Sequence, residues 1–228
     1  MKIQVTGTYQ TKFGELWDKS LTDLIAEAGK GAVGDAGLAM TQIEAVYVGS
    51  MLAAQVTGQS HVGAMAAQVL GTNVSATAVE AACASGGVAL RQAILALKSG
   101  LYETVLVVGV EKMTDLESDK IAEALVGAAS SQEERRSGIT FPGLYAMMAR
   151  SYMGQFNLTR KQLAQVPVKN HFHGSLNKLA HLPFCVSEDE VIKSSMVADP
   201  LRLLDCAPIS DGAAAVVLSV KKRSVGVV

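Results

Sequence analysis

The sequence predicts an α/β domain interrupted by a helical insertion. From Ile3 to Val110, β-prone runs and helix-periodic segments alternate as β, α, β, α, β, α, β, the pattern of parallel strand pairs joined by helices. The alternation stops at about residue 117 and resumes only after about residue 205. The composition is 49% hydrophobic but only 5% aromatic, with abundant alanine and glycine. That balance suits helices packed closely on a sheet better than an aromatic-rich sandwich. At 228 residues the chain is long enough to bury a large core.

Each element has a local reason. Ile3 to Val5 opens as a short strand, and Gly7 to Gly14 reads as a loop. Ser20 is placed to cap a helix, with Asp23 in its first turn. Leu21, Leu24, Ile25, Ala28, Ala32 and Val33 then recur at helical spacing, and Gly37 falls just past the end. Ile43 to Gly49 reads as a strand. A helix is expected from about Gly58 to Leu70, with His61 at its entry or in a dimer contact. Ala76 to Ala82 is the next strand and leads into Cys83.

The helix after Cys83 spans about Gly86 to Ser99, with Val88, Ala89, Gln92, Ala93, Ala96 and Leu97 along one face. Such an apolar helix is expected to be buried between layers or subunits. Thr104 to Val110 is a continuous apolar run, as in a central strand covered on both faces.

In the insertion, Ile121 to Ala129 is helical in pattern, and Glu133, Glu134, Arg135 and Arg136 form a solvated stretch. Phe141-Pro142-Gly143 reads as a turn before a helix from Leu144 to Phe156, with Met147, Met148 and Met153 as core filler. Thr159 is placed to cap the following helix. His171 and His173 lie two residues apart, so they do not share a helical face, and no acidic third ligand accompanies them. A metal site is therefore not expected, and His171 is read as a structural or polar-contact residue. Ala213 to Val220 is a returning strand.

The net charge of −1 gives no electrostatic basis for binding nucleic acid or an anionic membrane surface. No apolar run reaches the length of a bilayer span, and no signal-peptide core follows Met1 to Val5. Cys83, Cys185 and Cys206 are too widely spaced for a zinc motif and do not form a disulfide framework. A reducing cytosol is the expected compartment.

Cys83 carries the chemistry. A β-prone run ends at this cysteine, and Ala84, Ser85, Gly86 and Gly87 follow. A strand turning into a helix at Cys83 holds the sulfur at the helix N-terminus, where free N–H groups and the helix dipole favour a thiolate. The thiolate is the nucleophile, the small neighbours leave room for a carbonyl, and nearby N–H groups suit an oxyanion. The plainer alternative is a small buried hydrophobe in an alanine-rich stretch.

The words around it extend this reading. Val79-Glu80-Ala81-Ala82-Cys83-Ala84-Ser85-Gly86-Gly87 resembles the nucleophilic-cysteine segment of thiolases, especially the group with archaeal acetyl-CoA acetyltransferases and the thiolase part of sterol carrier protein. Phe13 to Leu21, Gly109 to Asp115, Val168 to Ser175 and the Asp-Gly-Ala-Ala-Ala run at Asp211 resemble the same group. The resemblance implies a layered α-β-α domain with a mixed, mostly parallel sheet, and an insertion at about 117–205 that covers coenzyme A. It also implies Cys83 as nucleophile and an acyl-CoA thioester as substrate, with no separate cofactor. Tyr145 and Met147 become candidates for the acyl pocket, His171 for a contact to coenzyme A, and Ser210 for a contact at the thioester. The implied assembly is a homodimer or tetramer, with a separate C-terminal thiolase chain or a zinc-ribbon/OB-fold protein as further partners.

Thiolases are built from two related halves, and the second supplies a histidine in Gly-His-Pro and a cysteine in Cys-x-Gly. Neither motif occurs here: Cys185 and Cys206 are followed at two residues by Ser187 and Pro208. The expectation is therefore the first half alone, with the second half absent. Cys83 then forms an acyl-enzyme but lacks the group that abstracts an α-proton. A ketoacyl synthase, which uses two histidines, and a non-catalytic assembly subunit of the same fold are the alternatives.

Overall fold

The structure is a computed structural model and describes residues 2–220. In chain order its elements are β1 (Gln4–Gln10), α1 (Leu21–Asp35), β2 (Ala45–Gly49), α2 (Val62–Leu70), β3 (Ser75–Val79), α3 (Ser85–Lys98) and β4 (Thr104–Glu111). Then come α4 (Ser118–Leu125), α5 (Phe141–Phe156), α6 (Arg160–Ser175), α7 (Glu188–Lys193), β5 (Met196–Ala198), β6 (Leu201–Arg202) and β7 (Gly212–Ser219). The chain divides into two compact units. One holds the residues up to Asp115 and those from Ser210 onward; the other is Leu116–Ile209.

The first unit is built on a sheet of order β1-β7-β4-β2-β3. β2 pairs in parallel with both β3 and β4, whereas β7 is antiparallel to β4 and β1. Four of the five strands thus run the same way and β7 alone opposes them. The chain steps outward from β2 to β3 through α2, then back across β2 to β4 through α3.

Those two crossovers use opposite faces. On one, Leu24, Ile25, Ala28 and Ala32 of α1 and Ala66 and Leu70 of α2 pack on Val46, Val48, Leu106, Val108 and Val217. On the other, Ala89, Ala93 and Leu97 of α3 pack on Ala45, Val105, Val107 and Leu218. Sequestering a side chain such as Leu24 or Ile25 contributes roughly 2 kcal/mol, and both are fully buried. The result is the layered α-β-α arrangement, with β4 covered on both faces.

Local signals produce α1. Ser20 Oγ accepts from Asp23 N at 3.2 Å, and Asp23 Oδ2 accepts from Ser20 N at 2.9 Å, a reciprocal capping box. Gly37, just past the end, has φ of +66°. α3 differs from expectation in one position: Gln92 is exposed, and the buried face is Ser85, Ala89, Ala93 and Leu97. Their four-residue spacing fixes that face, and Gln92, immediately before Ala93 and so about 100° round the helix from it, turns to solvent.

The second unit, described by itself, is mostly helical. Ala164, Val186 and Val191 form a small core, joined by Val168, Ile192 and Leu204. Here α5 begins earlier than the sequence suggests. Phe141-Pro142-Gly143 is its first turn, not a turn before it, because Thr140 Oγ1 accepts from Gly143 N at 3.2 Å and proline is tolerated in a first turn. Met147 and Met148 are not core filler; they are 63% and 57% exposed, and Ala146 is the buried residue of this helix. Thr159 caps α6 reciprocally with Gln162, and α6 continues through Pro167. Among the described residues, no helix is long and apolar enough to cross a membrane.

Candidate active site

The carboxyl ends of β2, β3 and β4 share one edge of the sheet, where Gly49 is in register with both Val79 and Gly109. Because β3 and β4 lie on opposite sides of β2, this edge is where the winding reverses, the usual place for a ligand crevice in open α/β sheets. Cys83 follows β3 at that edge. The strand does not pass directly into the helix: it ends at Val79, a single 3-10 turn spans Ala82–Ala84, and α3 starts at Ser85. Cys83 therefore sits in the middle of a tight turn, with its side chain exposed.

Four hydrogen bonds hold this turn. Glu80 Oε1 accepts from Ala82 N at 2.6 Å. Ser85 Oγ accepts from Ala81 N at 2.9 Å and donates to Ala82 O at 2.6 Å. Ala84 N donates to Ala81 O at 3.0 Å. Ala82 itself has φ of +49°, a left-handed conformation that costs a side-chain-bearing residue of order 1 kcal/mol and persists only where surroundings impose it. The first turn of α3 carries neither a capping side chain nor an acidic residue. Its N-terminal amides thus meet no protein anion at the cap, and the helix dipole favours negative charge there.

Gly49 brings the backbone of β2 against the start of α3. A Cβ there would lie 2.6 Å from Gly86 N and from Ser85 C. Next to it, Glu111 at the end of β4 accepts from Met51 N at 2.5 Å and from Leu52 N at 3.2 Å, fixing the chain that leaves β2. Burial pushes the Glu111 carboxyl above its ordinary value, against the opposing pull of these hydrogen bonds.

The same edge holds a buried ion pair that sequence reasoning missed. Lys112 Nζ donates to Asp211 Oδ2 at 2.8 Å, with the two side chains 1% and 0% exposed. Asp211 also accepts from Met113 N, Thr114 N, Thr114 Oγ1 and Leu16 N, at 2.6, 2.9, 2.6 and 3.0 Å. Lys112 additionally binds Asp115 and lies 5.7 Å from the centre of the Trp17 ring. This cluster ties the loop before α1 to the exit of β4 and the entry of β7. Gly109 to Asp115 and the run beginning at Asp211 stand out in the sequence, but nothing local in them signals that Lys112 and Asp211 pair.

The expected site residues are distributed over both units. Cys83 and Ser210 belong to the first, Ser210 being half-buried immediately before Asp211. Tyr145, Met147 and His171 belong to the second. Tyr145 and Met147 are two residues apart on α5, so they project from different sides of the helix. Tyr145 makes an edge-to-face contact with Phe141, ring centres 5.3 Å apart. His171 on α6 lines a cavity of about 270 Å³ together with Asn170, Leu182, Asp205 and Cys206. Its Nδ1 lies 3.3 Å from Phe184 O, and its ring lies over that of Phe184. Burial pushes the Cys206 thiol up, with the Asp205 carboxylate adding to the effect, so this sulfur is held as a thiol.

Fold and site together define a class: a layered α-β-α domain with a cysteine turn at the carboxyl edge of its sheet. Comparison assigns that class, and the chain belongs to the thiolase family, whose N-terminal domain profile matches residues 3–222. It is 52% identical over 218 residues to the acetyl-CoA acetyltransferase of Methanothermobacter thermautotrophicus, covering 95% of this chain and 56% of that protein. It is 30% identical over 235 residues to sterol carrier protein 2 of Gallus gallus, covering 96% of this chain and 41% of that one. The fold matches the acetyl-CoA acetyltransferase structure from Syntrophomonas wolfei with a TM-score of 0.74 at 17% identity, over 95% of this chain and 64% of that chain. The chain spans about half the length of the curated relatives it matches.

Proposed function

We propose that this chain is the nucleophile-bearing part of an acyl-CoA acyltransferase of the thiolase type, acting on acetyl-CoA through an acyl-enzyme at Cys83. The observation that carries the reading is the exposed Cys83 in a clamped turn at the start of α3. The 52% identity to an acetyl-CoA acetyltransferase supports the choice of acyl donor.

In the proposed step, Cys83 Sγ attacks the thioester carbonyl. A carbon–sulfur bond to Cys83 forms, the bond to the coenzyme A sulfur breaks, and the proton lost by Cys83 leaves with the coenzyme A thiol. The amides at the start of α3 face the negative charge that develops on the carbonyl oxygen. A carbanion from a second acetyl-CoA then attacks the acyl carbon, which forms the carbon–carbon bond of a 3-ketoacyl-CoA, breaks the bond to Cys83 Sγ and frees Cys83 to take back a proton. The base for that carbanion is supplied by a further polypeptide segment, since this sequence contains no Cys-x-Gly word. Of the remaining candidates, His171 and Ser210 fit contacts to the coenzyme A arm and the thioester. Exposed free thiols at Cys83 and Cys185 fit a reducing, cytosolic compartment.

The test is intact mass after incubation with acetyl-CoA, with Cys83→Ala as control. One acetyl group on the unmodified chain and none on the variant supports the reading. No adduct overturns it and leaves a thiolase-fold assembly subunit.

A further inference from the structure

Glu80 carries a charge that its local contact does not require. The residue is exposed, and its Oε1 accepts from Ala82 N at 2.6 Å. A glutamine oxygen would accept the same bond. What the carboxylate adds is a negative charge, and among the described residues no lysine, arginine or histidine pairs with it. From Ala45 to Leu90, Glu80 is the one Asp, Glu, Lys or Arg in the sequence. The other charged groups at this edge are already engaged: Glu111 by Met51 N and Leu52 N, and Lys112 by Asp211 and Asp115.

That charge is held close to the nucleophile. Glu80 is anchored on Ala82 N, and the covalent path from that nitrogen to Cys83 Sγ spans at most about 7 Å. The carboxylate therefore lies within about 10 Å of the sulfur, inside one screening length at about 0.1 M salt. A thioester that reaches Sγ carries its acyl chain into this field. An uncharged chain is indifferent to it, whereas a chain ending in a carboxylate is repelled. Between unit charges at that separation the repulsion slows reaction by roughly two- to twentyfold, from water-like to near-surface screening.

We propose that Glu80 is a specificity-determining residue, a charge filter that admits uncharged acyl groups to Cys83 and turns away those ending in a carboxylate. Discrimination of this kind comes from a repulsive element against the wrong substrate, with no added contact to the right one. The acyl groups in that statement rest on the acyl-enzyme reading. The charge effect is read at the thiol without any acyl donor.

The test alkylates the folded chain at neutral pH with iodoacetamide, which is uncharged, and with iodoacetate, an anion of similar size. Peptide mapping separates Cys83 from Cys185, an exposed free thiol that serves as reference. In low salt, Glu80→Gln is expected to raise the iodoacetate-to-iodoacetamide rate ratio at Cys83 by roughly two- to twentyfold and to leave the ratio at Cys185 unchanged. In about 1 M salt the gain should vanish. The unmodified chain gives the same information without a substitution, because its ratio at Cys83 should rise with salt more steeply than its ratio at Cys185. Succinyl-CoA in competition with pentanoyl-CoA, a neutral chain of similar length, then reads the acyl groups themselves, and the succinyl share on Cys83 should rise in Glu80→Gln. An alkylation ratio indifferent to substitution and to salt, or an unchanged succinyl share, overturns the filter. A normal alkylation response with no transfer from any acyl donor overturns the acyltransferase reading instead.

Discussion

Gly49 and Gly86 meet where no side chain fits: a Cβ on Gly49 would lie 2.6 Å from Gly86 N. The end of β2 and the first turn of α3 are thus in backbone contact. The position of the Cys83 turn over the sheet edge is set by a missing side chain.

Gly49→Ala should therefore push the start of α3 outward. Overpacking of this kind typically costs about 1–3 kcal/mol. Thermal unfolding should show that loss, and the rate of Cys83 acetylation should fall by more than the loss of folded protein accounts for. Unchanged acetylation in a folded variant would show that the turn tolerates displacement.

Asp211→Asn removes the buried carboxylate paired with Lys112 and leaves the Lys112 ammonium only the exposed carboxylate of Asp115. Breaking a buried pair from one side costs about 3–5 kcal/mol, measurable by urea denaturation at neutral pH. The pH dependence carries a sign. Burial pushes the Asp211 carboxyl up, but hydrogen bonds from Lys112, Thr114, Met113 N and Leu16 N prevail and hold it below its ordinary value. A depressed carboxylate contributes stability above the unfolded value, about pH 4, and loses it as pH falls through the folded one. The unmodified protein should lose stability below about pH 4, and the asparagine variant should lose less over that interval.

Glu111 runs the other way. Burial raises its carboxyl, so the folded protein binds that proton more tightly than the unfolded chain. Stability from this group is fullest at acid pH and declines as pH rises through the folded value. Glu111→Gln keeps an acceptor for Met51 N and Leu52 N and removes the charge. Its melting temperature at neutral pH should equal or modestly exceed that of the parent, and a marked fall would show that the charge itself holds the loop.

In the second unit, Arg160 NH2 lies 2.5 Å from Asp205 Oδ2, and the Asp205 side chain is 4% exposed. Arg160→Ala strands that carboxylate at a cost of about 3 kcal/mol or more. Hydrogen exchange should accelerate in α6 and around Leu203–Asp205, with the sheet of the first unit unaffected. Equal acceleration in both units would show that they unfold together.

What the sequence made legible was local. The six apolar positions of α1, its Ser20 cap and Gly37 are read within one window, and they appear as read. The valine run of β4 identifies a buried strand for the same reason. Lys112 and Asp211 are different: each is an ordinary charged residue until β4 and β7 become neighbours. The sequence reads Cys83 as the point where a strand turns directly into a helix and misses the intervening 3-10 turn, because the left-handed Ala82 and the Ser85 clamp have no compositional signature. On α5, proline and glycine suggested a turn, and only the Thr140 cap shows why they open a helix.

The strand order also dictates a sequence of events in biosynthesis. Among the described strands β1 pairs with β7 alone, with Gln4 opposite Ser219, and β7 in turn lies between β1 and β4. A chain emerging from a ribosome can assemble β2, β3 and β4 early, but β1 waits unpaired until the whole insertion has been translated. Such long-range pairing is intrinsically slow, and an apolar strand edge stays open to other chains meanwhile. Rapid, independent collapse of Leu116–Ile209 would shorten that wait by drawing its two ends together, since Glu111 and Gly212 finish as direct partners across the sheet.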